Sequence, residues 1–410
     1  MVASGEATPA PDAGSRARSA GEAAFGPDWK PAWRASAPGR IELLGNHLDY
    51  NGGPVLAAAI DRSVVVLADG GGEPGAVEAV FADTDRSREE VNAAELGDWR
   101  NHGAPSGPAD YLRGVIAEAG ARGNALRSPA RLALAGDVPL GFGLSSSAAV
   151  CVAMVLAAVE RPPGGADLVR IAQGAEHRAG APVGGMDQSA SVAGGVVLFD
   201  GETLGVERLE PDLGQYVFAV VDSGVKRSVG ASAYPTRVRE ARQALDLARE
   251  ILGEDVPNAA SLRRQHLEAL EAAAQRDSRL RRELLKRLRH IVTETARVEE
   301  GVGAIRAGDW AAFGHLMTAS GRSSAMDYEI SHPKVEELVG ETLAVDGVLG
   351  ARMMGGGGGG TALSLLERSA VERLDATLRG GYYRRYEMAD RPDLIQVCRF
   401  APGAVLESLA

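Results

Sequence analysis

Between residues 136 and 159 the chain reads GDVPLGFGLSSSAAVCVAMVLAAV, and no other stretch narrows its possible folds so far. Gly141 and Gly143 let the backbone approach a ligand with no Cβ in the way. Leu144 leads into Ser145, Ser146 and Ser147, and Ala148 opens an apolar run that can anchor a buried helix. The first turn of such a helix presents unpaired N–H groups and the positive end of the helix dipole, here beside three hydroxyls, which makes it a seat for phosphate. A serine N-cap would need only one of them. The stretch has neither the Gly-Lys-Ser/Thr ending of a Walker loop nor the G-x-G-x-x-G of a dinucleotide turn, so it is a phosphate loop of another kind.

With 410 residues, 45% hydrophobic and 24% charged, the chain can form two domains around a large core. A net charge of -11 argues against nucleic acid or an anionic membrane as partner. A nucleotide is still allowed, because a phosphate loop works through local amides. Cys151 and Cys398 are too few for a disulfide framework, and Cys151 falls inside the apolar helix, which suggests reduced, buried thiols in the cytoplasm. Residues 1–22 are small, polar and broken by Pro and Gly, and read as a disordered tail rather than a signal peptide. No apolar run reaches the roughly 18 residues of a membrane span. A cytoplasmic monomer or weak dimer is expected.

Residues 33–50 read as a strand running into a polar turn that gathers Arg40, Asn46, His47 and Asp49. Strand-like runs follow at 55–60 and 63–68, then a helix at 110–121 and a strand at 130–135. A helix over 165–180 carries Glu176, and the Gly184-Gly185 turn feeds Met186-Asp187-Gln188 into a short helix. There Asp187 could be a helix cap or a base, and the residues alone leave both open. After a strand at 216–222, helices with interleaved acids and bases run to about residue 345. Residues 352–366, RMMGGGGGGTALSLL, place six glycines between two methionines and an apolar strand, as in a loop closing over a ligand.

Taken together, these stretches resemble the motifs of the galactokinases, within the GHMP kinase superfamily, in the family's order. APGRIELLGNHLDYNGGPVLAAAI is similar to the sugar signature, PLGFGLSSSAA to the ATP motif, VGGMDQ to the catalytic motif, SVGASAYPTRVREA to the sugar-binding tyrosine segment, and RMMGGGGGGTALSLL to the third motif. MDYEISHP, at 326–333, is similar to one further segment. The resemblance implies an α+β, two-lobed GHMP kinase fold with a left-handed βαβ unit, an N-terminal lobe over 23–205, a C-terminal lobe over 206–410 and the site between them. It implies ATP-dependent phosphorylation of a free hexose, galactose first, at the C1 hydroxyl. Asp187 would be the catalytic carboxylate and Arg40 its partner. Asn46, His47, Asp49, Gly185 and Tyr234 would hold the sugar. ATP would lie on Gly141, Gly143, Leu144, Ser145, Ser146, Ser147 and Ala148, with Mg²⁺ on Ser147 and Glu176.

Departures from the family pattern carry their own expectations. Asn46 stands where galactokinases usually carry Glu, and an amide can donate where a carboxylate only accepts. If Asn46 faces C6, the enzyme would accept galacturonate, 6-deoxygalactose or glucose-type variants, and the alternative to galactose is a C6- or C2-modified hexose such as galacturonate or N-acetylgalactosamine, or a broader set of hexoses. Glu176 and Asp187 are one residue closer than usual. Val183-Gly184-Gly185 replaces Cys-Gly-Ile, and Gly358 replaces Phe, both trading bulk for space. A galactose- and ATP-binding sensor without turnover is the rival reading, against which stand Ser147, Asp187 and Arg40.

Overall fold

The computed structural model describes residues 11–84, 88–127, 129–181, 183–226 and 234–409. Its strands are β1 (Trp33–Leu44), β2 (Pro54–Asp69), β3 (Ala76–Phe81), β4 (Arg88–Asn92), β5 (Ala130–Gly136), β6 (Val196–Asp200), β7 (Val206–Leu209), β8 (Tyr216–Val225), β9 (Val348–Met353), β10 (Gly360–Glu367), β11 (Ile395–Cys398) and β12 (Val405–Ser408). The first sheet runs β12-β1-β2-β5-β3-β4, with β6 and then β7 added beside β2. One end of β2 pairs with β6 (Pro54↔Asp200) and the other with β5 (Asp69↔Arg131), so this strand joins the two along one of its edges. Among the described residues only β3 and β5 pair in parallel within it. The second sheet, β11-β8-β10-β9, is antiparallel throughout.

This mixed architecture agrees with the α+β expectation, but the expected division at residue 205 is not a sheet boundary. β7 and β12 come from beyond it and complete the first sheet. A single apolar cluster also runs through both sheets, joining Val66, Leu132 and Val152 to Phe218, Leu363 and Tyr382.

Strand alternation divides the first sheet into two faces. Val64, Val66 and Ala68 of β2 and Leu132 and Leu134 of β5 enter the main core. Val65, Leu67, Val80, Ala133 and Ala135 emerge on the far side, where Ala13, Ala17, Ala20 and Trp29 cover them. The cover is a helix over Ala13–Phe25, capped by Asp12, whose carboxylate accepts from Ser15 N at 2.8 Å. The expectation of a disordered tail therefore fails for residues 13–22, while residues 1–10 lie outside those described. Composition misled because alanine scores as barely apolar, yet Ala13, Ala17, Ala20 and Ala24 recur every three to four residues and form a helical stripe. Small side chains let the helix lie close: a Cβ at Gly21 would meet the Trp29 ring at 2.1 Å.

The helix Ser146–Ala158 lies against β1 and β2, and from Ala148 onward only Val150 is not fully buried, as an apolar circumference requires. Cys151 on it and Cys398 on β11 are buried and unpaired. The helices Tyr234–Leu252, Arg264–Ala274 and Arg282–Ala307 enclose a separate apolar cluster around Leu270, Leu284 and Leu288. Among the described residues no helix is long and apolar enough to cross a membrane.

Candidate active site

Arg40 lies on β1 where the strand passes under the serine-rich loop. Its backbone N–H donates to Leu144 O at 3.0 Å, and Gly39 permits the approach, since a Cβ there would meet the same carbonyl at 2.7 Å. The buried guanidinium donates through Nη1 to Gly143 O at 2.6 Å and through Nε to Asp187 Oδ1 at 2.8 Å, with Nη2 in ion-pair contact with the same oxygen at 2.7 Å. The other carboxylate oxygen, Oδ2, accepts from Ser145 Oγ at 2.5 Å. Asp187 is the second residue of the helix Met186–Ala193, which begins after Gly185, so its carboxylate is not the cap. Its side chain is 22% exposed against 7% for Arg40, which leaves the carboxylate reachable while its partner is enclosed.

The loop is shaped by positive φ angles at Gly141 (83°), Gly143 (70°) and Ser145 (55°). Ser145 is the costly one, because a residue with a Cβ resists the left-handed region. It precedes the helix Ser146–Ala158 without capping it, its hydroxyl being turned to Asp187 instead. The first-turn N–H groups are thus left for another acceptor. Leu144 and Ala148 are buried and anchor the loop, while Ser145, Ser146 and Ser147 are half-buried at its mouth. Thr361 Oγ1 donates to Phe142 O at 2.8 Å and ties the glycine-run segment to this loop.

The buried carboxyl of Glu176 lies close enough to the Ser147 hydroxyl to be influenced by it and accepts from Gln188 Nε2. Burial, reinforced by the charge of Asp187, pushes Glu176 up to about 7 although Ser147 and Gln188 both favour its charged form. A cation would discharge that strain. A hydroxyl and a carboxyl beside a helix N-terminus are the oxygen donors a hard divalent ion takes together with phosphate, and such an ion needs only one or two carboxylates. The residues therefore fit Mg²⁺ despite the short spacing of Glu176 and Asp187.

A second group of side chains gathers around His47, itself at φ 63°. Its ring lies 5.3 Å from that of Tyr234, 5.6 Å from Tyr50 and 5.1 Å from Tyr328, and Nδ1 is 2.7 Å from Tyr50 OH. Burial drives His47 down to about 3, so it is neutral at physiological pH. Tyr234 opens its helix, and residues 227–233 of the same motif lie outside those described. Burial, then the nearby charge of Asp187, pushes Asp49 up to about 7. A Cβ at Gly184 would fall 1.7 Å from Asp49 Oδ2. Gly184 is therefore a glycine this carboxyl requires, while a Cβ at the neighbouring Gly185 would face Leu204 and Phe199.

Asn46 is held by the protein itself. It is fully buried, and its Nδ2 donates to Glu42 Oε1 at 2.8 Å and Gly355 O at 3.0 Å while Oδ1 accepts from Ser324 Oγ at 3.1 Å. Its backbone N donates to Glu294 Oε1 at 3.2 Å, and His290 Nε2 lies 2.9 Å from its carbonyl. Both N–H donors of the amide and one lone pair of its oxygen are thus engaged within the protein, where the side chain serves as a strut. Despite burial, Arg297, His290 and Arg352 hold Glu294 down to about 2. Sequence reasoning passed over Glu42, Tyr50, Gly184, Glu294, Tyr328 and Arg352. A signal existed for Glu42, a charge between Ile41 and Leu43 two residues from Arg40.

Three family models match the chain: the galactokinase galactose-binding signature over residues 22–69, the GHMP kinases N terminal domain over 110–195 and the GHMP kinases C terminal over 302–383. The galactokinase of Homo sapiens is 35% identical over 380 residues, 87% of this chain and 89% of that protein. That of Roseiflexus sp. (strain RS-1) is 36% identical over 90% of this chain and 91% of its own. Among solved structures, Lactococcus lactis galactokinase complexed with galactose superposes with a TM-score of 0.83 at 26% identity, covering 96% of this chain and 99% of that one. A mevalonate kinase, at 15% identity and a TM-score of 0.62 over 90% of this chain and 98% of its own, has the same fold.

Proposed function

Because the chain belongs to the galactokinase family of GHMP sugar kinases, we propose that it transfers the γ-phosphoryl group of ATP to the C1 hydroxyl of galactose, giving galactose 1-phosphate and ADP. The observation that carries this reading is the Asp187 carboxylate, gripped by Arg40 and Ser145 at the edge of the phosphate loop and still accessible. As the C1 oxygen forms its bond to phosphorus and the bond to the ADP oxygen breaks, Asp187 takes the hydroxyl proton. Arg40 fixes the carboxylate's orientation and offsets its charge, and also braces the loop through Gly143 O. The N–H groups opening the helix Ser146–Ala158 receive phosphate oxygens.

Ser147 and Glu176 would hold Mg²⁺, which when bound neutralises phosphate charge. His47, Asp49, Gly184 and Tyr234 form the sugar's surroundings, a neutral imidazole and a phenol giving the ring an aromatic wall. The reading for C6-altered sugars needed Asn46 to face C6, and the bonds from its amide to Glu42 and Gly355 remove that support. ADP release coupled to galactose 1-phosphate formation is the direct test. Binding of galactose and ATP with no ADP released would leave the sensor reading in its place.

A further inference from the structure

Glu42 is a buried carboxylate to which no role has been given. β1 and β2 pair without interruption from Arg40↔Ala59 to Glu42↔Ala57, so Arg40 and Glu42 point to the same face, one pleat apart, roughly 7 Å along the strand. Arg40 marks the C1 end of the sugar site through Asp187, and a pyranose ring with its substituents is about as long as that step. Glu42 therefore stands at the far end. Its charge is felt there, at Asp49 and at Tyr234.

Its two oxygens are treated differently. Oε1 accepts from Asn46 Nδ2 at 2.8 Å and from Arg352 Nη2 at 2.5 Å, and Arg352 is itself fixed by donating to Leu43 O and Met353 O. Among the described residues no hydrogen bond is made to Oε2, although it is not among the sealed, unpaired atoms of the interior. A carboxylate clamped by one oxygen, with the other reachable, is preorganised to accept a hydroxyl. Asn46 acts as part of the clamp: two acceptors, Glu42 and Gly355 O, face its amide, so a second carboxylate at position 46 would be repelled by both.

We propose that Glu42 is a specificity-determining carboxylate of the sugar site, accepting through Oε2 a hydroxyl remote from C1. The proposal rests on the hexose 1-kinase reading. It relocates the carboxylate expected at position 46 to the residue that Asn46 holds.

The test compares wild type with Glu42→Gln on galactose and on its 2-, 3-, 4- and 6-deoxy forms. A charge-assisted hydrogen bond is lost, so KM for galactose rises roughly tenfold or more while KM for ATP stays unchanged. For the one deoxy sugar lacking the accepted hydroxyl, wild type and variant converge in kcat/KM. An equal loss on all five sugars, or an unchanged galactose KM, overturns the proposal in favour of a framework role. If Glu42→Gln does not fold, Glu42→Asp keeps the charge and shortens its reach, and the same sugar-by-sugar pattern is required of it. Wild-type protein that releases no ADP with galactose overturns the parent reading, and is distinguished by failing before any variant is compared.

Discussion

The two ends of the site are built in opposite ways. At the Asp187 end a 22%-exposed carboxylate and half-buried serines are held by a few strong bonds, and the helix N–H groups are left without a cap. At the Asn46 end the amide is enclosed and its donors and acceptor are all matched, backed by Glu42, Glu294, His290, Ser324 and Arg352. A group that meets a ligand keeps bonding capacity unused. A group whose capacity is filled acts through what it holds.

Four experiments sharpen or break that contrast. The largest effect is expected at the open end: Asp187→Asn should lower kcat on the order of 10²-fold or more while leaving ATP binding nearly intact, since the loop and the carboxylate are separate segments. Isothermal titration with ATP beside turnover checks both halves, and near wild-type turnover would remove Asp187 from the chemistry. At the closed end, Asn46→Glu should destabilise by about 3 kcal/mol or more, because a charge is buried against Glu42 and the Gly355 carbonyl. Urea unfolding measures this, and an unchanged midpoint would mean the enclosure is loose.

A third experiment uses the acid at about 7. A proton on Glu176 competes with the cation, so the Mg²⁺ concentration for half-maximal turnover should rise about tenfold per pH unit below 7 in wild type and stay flat in Glu176→Gln. Thermal stability is the wrong readout. Asp49 and Glu176, raised by burial, lose stabilising effect as pH climbs from their ordinary values toward 7, whereas His47 and His290, lowered by burial, gain it up to about 6.5. The smallest effect is Thr361→Val, which removes the bond to Phe142 O and should raise KM for ATP a few-fold, as loss of about 1 kcal/mol implies. Identical ATP kinetics would detach the glycine-run segment from the phosphate loop.

How much was legible in the sequence follows the same division. The serine loop, Asp187 and Arg40 were readable because glycine, hydroxyl and charge stand together in short segments whose backbone demands are local. The Asn46 network was not, since its partners come from positions 42, 294, 324 and 355 and meet only when the two sheets pack. That Asp49 requires a glycine at 184 was not legible either, because the requirement depends on where the Asp49 side chain lies in the fold. The helix Ala13–Phe25 was missed because its alanines bury well only against a sheet face that the segment itself does not reveal.

β12 pairs with β1, Trp33 against Ser408 and Arg34 against Glu407, with an ion pair of 3.0 Å between the latter two. The strand that carries Arg40 and Glu42 thus gains its outer neighbour from a segment 373 residues further along the chain at the Arg34–Glu407 contact. While the rest of the protein emerges from the ribosome, β1 has an open edge, and the contact that closes it is among the longest-range in the fold. A chain cut before Val405 would keep every residue assigned to the chemistry and lose that closure. Activity should appear only after synthesis has passed β12, which makes the arrival of this strand the point at which β1 is closed.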